Sequence, residues 1–513
     1  MVFSRNCYLC QHSMELLNLL SLLLFFVISF YAYLFYYNNS SQKPTKTGFK
    51  TYPIIGALPE FLKNRHRFLD WTTDVLADCP TNTATLWRPG KARGFLTANP
   101  LNVEHMLKTN FDNYPKGDLF TIPLHDFLGQ GIFNIDGEPW KVQRKTASYG
   151  FNSKSLRNFV MDNVRVEIQT RLVPVLAKAA KTGHVLDLQD ILERFAFDNV
   201  CKLTFNFDPC CLGDDGTVGT ELAQAFEDAT NLSSGRSRYA FPLLWKIKRH
   251  LNVGSERRLA ESIAVVHAFA DKIIMSRLAH KIEDEDLLSR FIQKEEISPE
   301  ILRDIIISFI LAGRDTTSSA LSWFFWLLSS RPDVTKNILK ELETIRVRNK
   351  KINGDNDTYS FDELRDMQYL HAAISESLRL YPPVPMDSKA CQSDDTLPDG
   401  TIVRKGCLVT YHTYAMGRME SIWGKNSQEF LPERWLDENG ICRRESPFRY
   451  PVFHAGPRMC LGKDLAYMQM KSIAATVIER FGIAVENKSV DPLLSLTLRV
   501  RGGLLVRVKD RCI

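Results

Sequence analysis

One stretch near the C-terminus decides the fold, and it reads Phe453-His454-Ala455-Gly456-Pro457-Arg458-Met459-Cys460-Leu461-Gly462. Gly456 and Gly462 permit tight turning on either side of the cysteine. A helical pattern begins just after Cys460, so the positive end of that helix dipole should favour a thiolate at this position. A buried cysteine in an ordinary turn would need neither Phe453 nor Arg458 beside it. The combination therefore favours a functional cysteine.

Each residue of this stretch suits a bound haem. A thiolate is the strongly electron-donating axial ligand that favours cleavage of the O–O bond on haem iron. Arg458 can pair with a haem propionate, and Phe453 can shield the sulfur from water. Gly456 and Gly462 allow the backbone to approach the porphyrin plane closely. The stretch predicts that Cys460 is the axial metal ligand of a haem b group.

The same stretch resembles the haem-binding signature of the cytochrome P-450 superfamily, F-x-x-G-x-R-x-C-x-G, at every fixed position. The resemblance extends from about Tyr52 to the C-terminus. It implies the cytochrome P-450 fold, which is mainly α with small β-sheets. It also implies a monooxygenase that uses O2, with electrons that come from NADPH through NADPH-cytochrome P-450 reductase.

A long apolar helix should run through the core. Ser298-Pro299-Glu300 is a helix start, because serine caps, proline fits the first turn and glutamate favours the dipole. Apolar character persists until Arg331-Pro332, a length of about 48 Å at 1.5 Å per residue. Ala312-Gly313-Arg314-Asp315-Thr316-Thr317 lies midway, where a glycine costs about 1 kcal/mol against alanine. This stretch resembles the family's oxygen-binding motif, which implies that Thr316 hydrogen-bonds dioxygen and Asp315 helps to deliver protons.

Two further motifs gain meaning from the resemblance. Glu376 and Arg379 form an E-x-x-R pair in an apolar helix, and a buried glutamate must be paired. The resemblance implies that both join Arg434 in a structural triad. Glu343 and Arg346 have the same spacing, but they are interpreted as a solvated face.

Trp140 and Arg144 are four residues apart on one predicted helix face, which is also the spacing of a simple surface pair. The resemblance implies instead that they hydrogen-bond the haem propionates. Other predicted helices cover roughly Phe361 to Leu380 and the segment after Cys460. Strand candidates lie near Ala84–Trp87, Gly94–Thr97, Leu408–Tyr411 and Gly503–Val508.

The N-terminal region reads as a membrane anchor. After a short tail at 1–15, residues 16–37 carry no charge, and such a length can cross about 30 Å of hydrocarbon as a helix. A cleaved signal peptide fits less well, because the apolar stretch is long and no small-residue cleavage site follows. Residues 38–60 form a basic, proline-containing linker before one haem-thiolate domain at 61–513. Lysines after the anchor predict a single-pass protein whose catalytic domain faces the cytosol. The expected location is the endoplasmic reticulum membrane.

The substrate should be lipophilic. Family members bind substrate at stretches that match mainly apolar side chains here, which suits a long hydrophobic molecule; the candidates are Phe120, Leu124, Phe127, Ala312, Val384, Met386 and Leu494. The segment from Phe241 to Trp245, with basic residues after it, is interpreted as a second contact with membrane lipid. The net charge of +6 is too small and too scattered for a nucleic-acid partner.

Closer resemblance points to the plant fatty-acid ω-hydroxylase clan of the superfamily. It rests on four stretches: Tyr114–Gly117, Gly131–Asn134, Leu380–Ser388 and Phe453–Arg458. It implies hydroxylation at or near a chain terminus. Relatives in this clan act on jasmonoyl-amino-acid conjugates or sterol side chains, and the sequence does not separate these substrates. A haem-thiolate isomerase that needs no reductase is disfavoured, because Asp315 and Thr316 are both present.

Overall fold

The computed structural model describes residues 21–31, 33, 48–52, 55–87, 94–151, 154–213, 220–239, 241–280, 287–293, 297–353, 358–487 and 489–511. Residues 21–31 and 33 are helical with exposed side chains, and the rest of the predicted anchor at 16–37 lies outside the described residues. Within the described part of the chain, no helix is both long enough and apolar enough to cross a membrane.

The protein is mainly helical, as the sequence predicted. From residue 58 onward the α-helices are α1 (Leu58–Lys63), α2 (Phe68–Asp78), α3 (Pro100–Glu104), α4 (Asp118–Leu128), α5 (Gly137–Phe151), α6 (Lys154–Glu167), α7 (Val173–Thr182), α8 (Leu188–Phe205), α9 (Thr220–Arg236), α10 (Pro242–Leu251), α11 (Ser255–His280), α12 (Leu287–Ile292), α13 (Pro299–Ser329), α14 (Pro332–Asn353), α15 (Phe361–Asp366), α16 (Gln368–Leu380), α17 (Thr413–Met416), α18 (Glu420–Trp423) and α19 (Lys463–Arg480).

Short strands form small sheets beside the helices. They are β1 (Thr83–Leu86), β2 (Gly94–Thr97), β3 (Val185–Asp187), β4 (Asp387–Ala390), β5 (Asp395–Thr396), β6 (Ile402–Val403), β7 (Leu408–Tyr411), β8 (Phe481–Val485), β9 (Pro492–Leu494), β10 (Leu498–Val500) and β11 (Leu505–Asp510). One sheet has the order β1-β2-β7-β4, with β2 and β7 parallel. Another has the order β3-β11-β8, and β5–β6 and β9–β10 are antiparallel pairs. The predicted minor sheet component is confirmed.

Helix α13 is the central element of the core, as predicted. The Ser298 side chain accepts a hydrogen bond from the Ile301 N–H at 3.4 Å, and the helix ends at Ser329. It packs most extensively against α8, and also against α11 and α16. A Cβ atom at Gly313 would collide with the side chain of Val200 on α8. The close approach of these two helices therefore requires the glycine in the helix interior.

The predicted helix from Phe361 to Leu380 is two helices, so that prediction was wrong in detail. Met367 leaves the helical conformation (φ −72°, ψ 86°) between α15 and α16. The Glu341 carboxylate accepts hydrogen bonds from the N–H groups of Tyr369 and Leu370, at 2.7 and 2.9 Å. A side chain from another helix thus caps the new N-terminus, and no local sequence pattern announces it.

Helix α16 contributes a buried ion pair that organises the segment before the cysteine stretch. Glu376 and Arg379 are both fully buried, and the Arg379 guanidinium donates two hydrogen bonds to the carboxylate, each 2.7 Å long. Arg434 donates to the same carboxylate at 3.3 Å. Arg379 also donates to the carbonyls of Ser427 and Glu429, at 2.6 and 2.9 Å. The structure therefore brings the three residues of the predicted triad together.

Helix α10 and the residue before it present an apolar surface, as expected for a lipid contact, but Trp245 is not part of that surface. Trp245 is buried, and the Arg236 guanidinium lies 4.7 Å from its ring centre. The exposed apolar residues lie around it, and they include Phe241, Leu243 and Leu244. Trp245 is an internal residue because the amphipathic helix turns it toward the protein.

Candidate active site

A cavity of about 1140 Å³ lies between α13, the cysteine stretch and the β9–β10 turn. Cys460, Ala312 and Thr316 line it. Apolar side chains from α4 and from the segment before β4 form much of the remaining wall. The cavity therefore joins the predicted reactive cysteine to the apolar residues that were expected to contact substrate.

Cys460 is positioned by backbone contacts before α19. Its N–H donates to the Phe453 carbonyl at 2.9 Å, and its side chain opens into the cavity. Burial raises the pKa of the Cys460 thiol, while a backbone hydrogen bond at Gly462 and the positive charges of Arg144 and Lys463 lower it. The Gly462 backbone and the two cations favour a thiolate at this position, and burial opposes it.

Three of the predicted cofactor residues meet beside Cys460. Trp140 and Arg144 lie on α5, and Arg144 donates to the carbonyl of Met459, the residue before the cysteine. The Arg458 guanidinium lies 4.3 Å from the centre of the Trp140 ring. It also donates to the Asp136 carboxylate at 2.6 Å. All three side chains line the same cavity as Cys460.

These residues fit a planar, anionic haem. Arg144 and Arg458 can donate to carboxylates, and both line the cavity, as does the Lys116 amine. The imidazole Nε2 of His454 is buried, with the Asp387 carboxylate 3.6 Å away, and this side chain also lines the cavity. Burial lowers the pKa of His454 to about 4, so the ring stays neutral. A thiol with two arginines beside it on one wall of an otherwise apolar cavity fits a thiolate-ligated haem with two propionates.

The glycines of the cysteine stretch have separate roles. Gly462 lines the cavity and precedes α19, in agreement with a close approach to the cofactor. Gly456 has φ +65°, and a Cβ atom there would collide with the carbonyl of Leu107. The missing side chain makes room for the backbone of Leu107, and contact of Gly456 with the cofactor stays a prediction.

The predicted catalytic pair divides between two faces of α13. Thr316 lines the cavity, and its hydroxyl donates to the Ala312 carbonyl at 2.5 Å. Asp315 points elsewhere, because successive residues of a helix are about 100° apart. Its carboxylate accepts from Arg314 at 2.8 Å, and burial raises its pKa against the charges of Arg314 and Arg499. The structure does not bring Asp315 to the cavity wall.

The carboxylate of Asp315 belongs to a buried network of ions. Arg314 also donates to Glu193 on α8 at 3.1 Å, and Arg499 of β10 lies 2.6 Å from the other oxygen of Glu193. These contacts tie α13 to α8 and to the β9–β10 hairpin. Sequence reasoning missed Glu193 and Arg499, since nothing local marks either residue.

Six of the seven substrate-pocket candidates line the cavity: Phe120, Leu124, Ala312, Val384, Met386 and Leu494. Phe127 is the exception. It is fully buried in the core behind the wall, with its ring centre 5.4 Å from that of Phe226. Phe127 and Leu124 are three residues apart on α4, but the helix packs Phe127 inward.

Comparison with known proteins gives the same picture. The family model described as "Cytochrome P450" matches residues 47–507. The chain belongs to the cytochrome P450 family. It is therefore a cytochrome P450 monooxygenase, and the family implies a haem bound through a cysteine thiolate.

Relatives of this P450 cover nearly its whole length. It is 54% identical to cytochrome P450 CYP94D108 of Paris polyphylla, over 89% of this chain and 91% of that protein. It is 46% identical to cytochrome P450 94A1 of Vicia sativa, over 90% of both chains. It is 45% identical to cytochrome P450 94B1 of Arabidopsis thaliana, over 97% of this chain and 98% of that protein. These names group the chain with the P450 94 proteins.

One polar cluster of this P450 was missed from the sequence, although its residues stand in motifs that carried the resemblance. Asp387 lies 3.5 Å from the Lys116 amine and 2.9 Å from the Lys389 amine. Burial would raise the pKa of Asp387, but the two lysines hold it well below its usual range. Burial lowers the pKa of Lys116 to about 7. A lysine between proline and glycine at 115–117 was the available signal.

Proposed function

We propose that this P450 is an NADPH- and O2-dependent monooxygenase that hydroxylates a long hydrophobic substrate, a fatty acid, at or near its chain terminus. The observation that carries the proposal is the apolar cavity of about 1140 Å³ that ends at Cys460. A cavity of this size and lining suits a lipophilic chain. The resemblance to the plant fatty-acid ω-hydroxylase clan supplies the substrate class.

Haem b, bound through Cys460, supplies the chemistry that reduces dioxygen and inserts one oxygen atom into a C–H bond. Arg144 and Arg458 would hold its propionates, together with Trp140. Phe453, whose ring centre lies 5.2 Å from that of Tyr467, would screen the sulfur from water. The chain itself would therefore contribute the thiolate ligand, the side chains that bind the propionates and an aromatic screen beside the sulfur.

Thr316 lines the cavity and directly follows Asp315 in the sequence. Its hydroxyl proton is directed at the Ala312 carbonyl, so its oxygen can accept a hydrogen bond from a group in the cavity. It can donate toward the space in front of Cys460, as the resemblance implies, once that proton turns away from the carbonyl. Asp315 acts from the network behind α13, so proton supply from it would need a side-chain movement or a bridging water. Both residues are proposed to support proton delivery.

The cavity walls must select the terminal carbon. A terminal methyl is intrinsically harder to attack than an internal methylene, so the walls must hold the chain with only its end near the reacting centre. Phe120 and Leu124 on one side and Val384 and Met386 on another give apolar surfaces for this purpose.

We further propose a membrane location at the endoplasmic reticulum, with the domain at 61–513 in the cytosol and an anchor at 16–37. The exposed side chains of Phe241, Leu243 and Leu244 support a second lipid contact, from which substrate can enter. NADPH-cytochrome P-450 reductase is the proposed electron donor, and the net charge of +6 suits an acidic partner.

A test of the lipid contact uses a variant without residues 1–47. Leu243→Ser with Leu244→Ser should reduce flotation with anionic vesicles, whereas the exposed Val347→Ser on α14 should not. Equal flotation of the truncated parent, the double serine variant and the Val347→Ser control would contradict a second lipid contact at Leu243 and Leu244.

The proposed function is tested by turnover in microsomes with a plant reductase and NADPH. Fatty acids of twelve to eighteen carbons, jasmonoyl-isoleucine and a hydroxylated sterol are offered, and mass spectrometry maps the hydroxyl. Terminal hydroxylation of a fatty acid with stoichiometric NADPH use is the expected result. Turnover of only the conjugate or the sterol would contradict the substrate class and retain the reaction type. Product formation without NADPH would contradict the reaction type.

A further inference from the structure

The cavity wall carries a group of polar side chains that the reaction at Cys460 does not use. Ser233 and Arg238 come from the end of α9 and the residues after it, and Ser495 and Thr497 come from the β9–β10 turn. All four line the cavity. We call them the polar patch. Most of the remaining wall is apolar, so the patch marks a position where a substrate can carry a polar group.

One hydrogen bond joins the two segments that form the polar patch. The Arg238 guanidinium donates to the Leu494 carbonyl at 3.0 Å, and Ser495 is the next residue. The Ser495 N–H in turn donates to the Thr497 carbonyl at 3.1 Å, which keeps the turn tight. The guanidinium also lies close to Gly235, where a Cβ atom would be 3.2 Å from its Nη2. Arg238 is therefore folded over the last turn of α9.

Three hydroxyl groups of the polar patch have no partner. The hydroxyl oxygens of Ser233, Ser495 and Thr497 are buried and form no hydrogen bond with any described residue. Ser233 is 0% exposed and Thr497 is 3% exposed. A buried polar group without a partner costs about 1–3 kcal/mol. Three such groups on one cavity wall indicate that a polar ligand atom completes them.

The charge of the polar patch is also uncompensated. Arg236, two residues earlier, is paired with Glu256 at 2.6 Å and with Asp126 at 2.7 Å. Arg238 forms no ion pair within the described ranges, and burial lowers its pKa with no acidic group to oppose the effect. Arg238 is exposed, so its guanidinium can be reached by a ligand, and without a counter-ion it favours an anionic one.

We propose that the polar patch binds the carboxylate of the substrate, with Arg238 as the ionic partner and the hydroxyls of Ser233, Ser495 and Thr497 as hydrogen-bond donors. This inference rests on the proposed function and deepens it. Holding one end of a chain at a fixed point determines which carbon reaches the space in front of Cys460. Arg238 stands three residues before Phe241, where the exposed apolar surface begins, so a carboxylate at the lipid surface would meet it on entry.

The test compares dodecanoic acid with its methyl ester, which keeps the chain and removes the charge. Full-length holoprotein is used for wild type, Arg238→Gln, Arg238→Lys and Ser233→Ala. Ser237→Ala is the matched control, because the Ser237 hydroxyl already donates to the Ser234 carbonyl at 2.7 Å. Dissociation constants come from the substrate-induced change in haem absorbance, and mass spectrometry gives the position of the hydroxyl.

Arg238→Gln should weaken binding of the acid about tenfold or more, as expected for the loss of a charged hydrogen bond, and should change ester binding less than about threefold. Hydroxylation of the acid should also spread from the terminal carbon to internal carbons. Arg238→Lys should recover part of the loss, Ser233→Ala should weaken the acid selectively but less, and Ser237→Ala should match wild type.

Equal weakening of acid and ester would assign Arg238 a structural role and overturn the inference, as would no change in either. These outcomes leave the proposed function intact if wild type still hydroxylates the acid terminally. If Arg238→Gln selectively lost acid binding but the wild-type protein hydroxylated no fatty acid, the polar patch would be supported and the proposed function overturned. A wild type that does not bind the acid would overturn both.

Discussion

Replacement of Glu376 by glutamine should destabilise the protein out of proportion to the size of the change. The two carboxylate oxygens of Glu376 receive five hydrogen bonds, from Arg379 (twice), Arg434, the Trp435 indole and the Leu431 N–H. Oε1 accepts three of them and Oε2 accepts two. Whichever oxygen becomes the amide NH2 of glutamine, at least two donors then face another donor.

The magnitude follows from that count. Each buried donor left without an acceptor costs about 1–3 kcal/mol, and removal of one partner of a buried ion pair costs about 3–5 kcal/mol in other proteins. We therefore expect a loss of about 4 kcal/mol. Over the matched residues 47–507, an unfolding entropy of roughly 2.1 cal/mol/K per residue amounts to about 1 kcal/mol/K. The midpoint of thermal unfolding should fall by about 4 °C.

The assay is thermal unfolding of the holoprotein, followed by circular dichroism and by haem absorbance. Glu343→Gln is the matched control, because Glu343 has the same E-x-x-R spacing but is exposed, while Arg346 pairs with Glu479 at 2.9 Å instead. The control should change the midpoint by less than about 1 °C. Equal shifts in the two variants, or a shift below 1 °C for Glu376→Gln, would refute the reasoning.

Three further results are expected. Thr316→Ala should lower the ratio of hydroxylated product to NADPH consumed and raise hydrogen peroxide, because the cavity wall loses the Thr316 hydroxyl. Thr316→Ser should restore the ratio, and an unchanged ratio in the alanine variant would contradict the role of Thr316 in proton delivery. His412 is fully buried with a pKa lowered by burial to about 3, so the unfolded chain binds more protons between about pH 6.5 and 3, and stability is lost as pH falls through that window. At pH 5 the loss is about 2 kcal/mol. His412→Asn keeps a side chain able to cap α17, so its unfolding midpoint should fall by about 2 °C less than that of wild type between pH 7.5 and 5. Parallel pH profiles of the two proteins would contradict the lowered pKa of His412. Gly456→Ala should yield protein with reduced haem content, because its Cβ would strike the Leu107 carbonyl. Gly400→Ala, where a Cβ atom meets open space, should retain haem. Full haem content in Gly456→Ala would exclude the steric argument.

Short-range chemistry explains what could be predicted from the sequence. The start of α13 follows from Ser298 and Pro299, and the apolar surface of that helix determines its place in the core. The position of Cys460 before α19 follows from the residues around it. The triad could be predicted only by resemblance, since Glu343 and Arg346 have the same spacing and a different environment.

Tertiary contacts explain what could not be predicted. The break at Met367 depends on Glu341 from another helix, and Gly456 depends on the backbone of Leu107. The burial of Phe127 and Trp245 depends on which face each helix turns inward. Periodicity predicts which side of an amphipathic helix is buried, but it does not predict that Asp315 joins a buried ion network while the adjacent Thr316 lines the cavity.

The central claim is that Cys460 binds the haem iron and that the cavity in front of it is the reaction site. The most direct measurement is the absorbance spectrum of the reduced, carbon-monoxide-bound holoprotein for wild type, Cys460→Ser and Cys442→Ser, together with haem content. The strongly red-shifted Soret band of a thiolate-ligated haem is expected in wild type and in Cys442→Ser, and it should be absent in Cys460→Ser. The same thiolate band in Cys460→Ser would contradict the account, because another residue would then bind the iron.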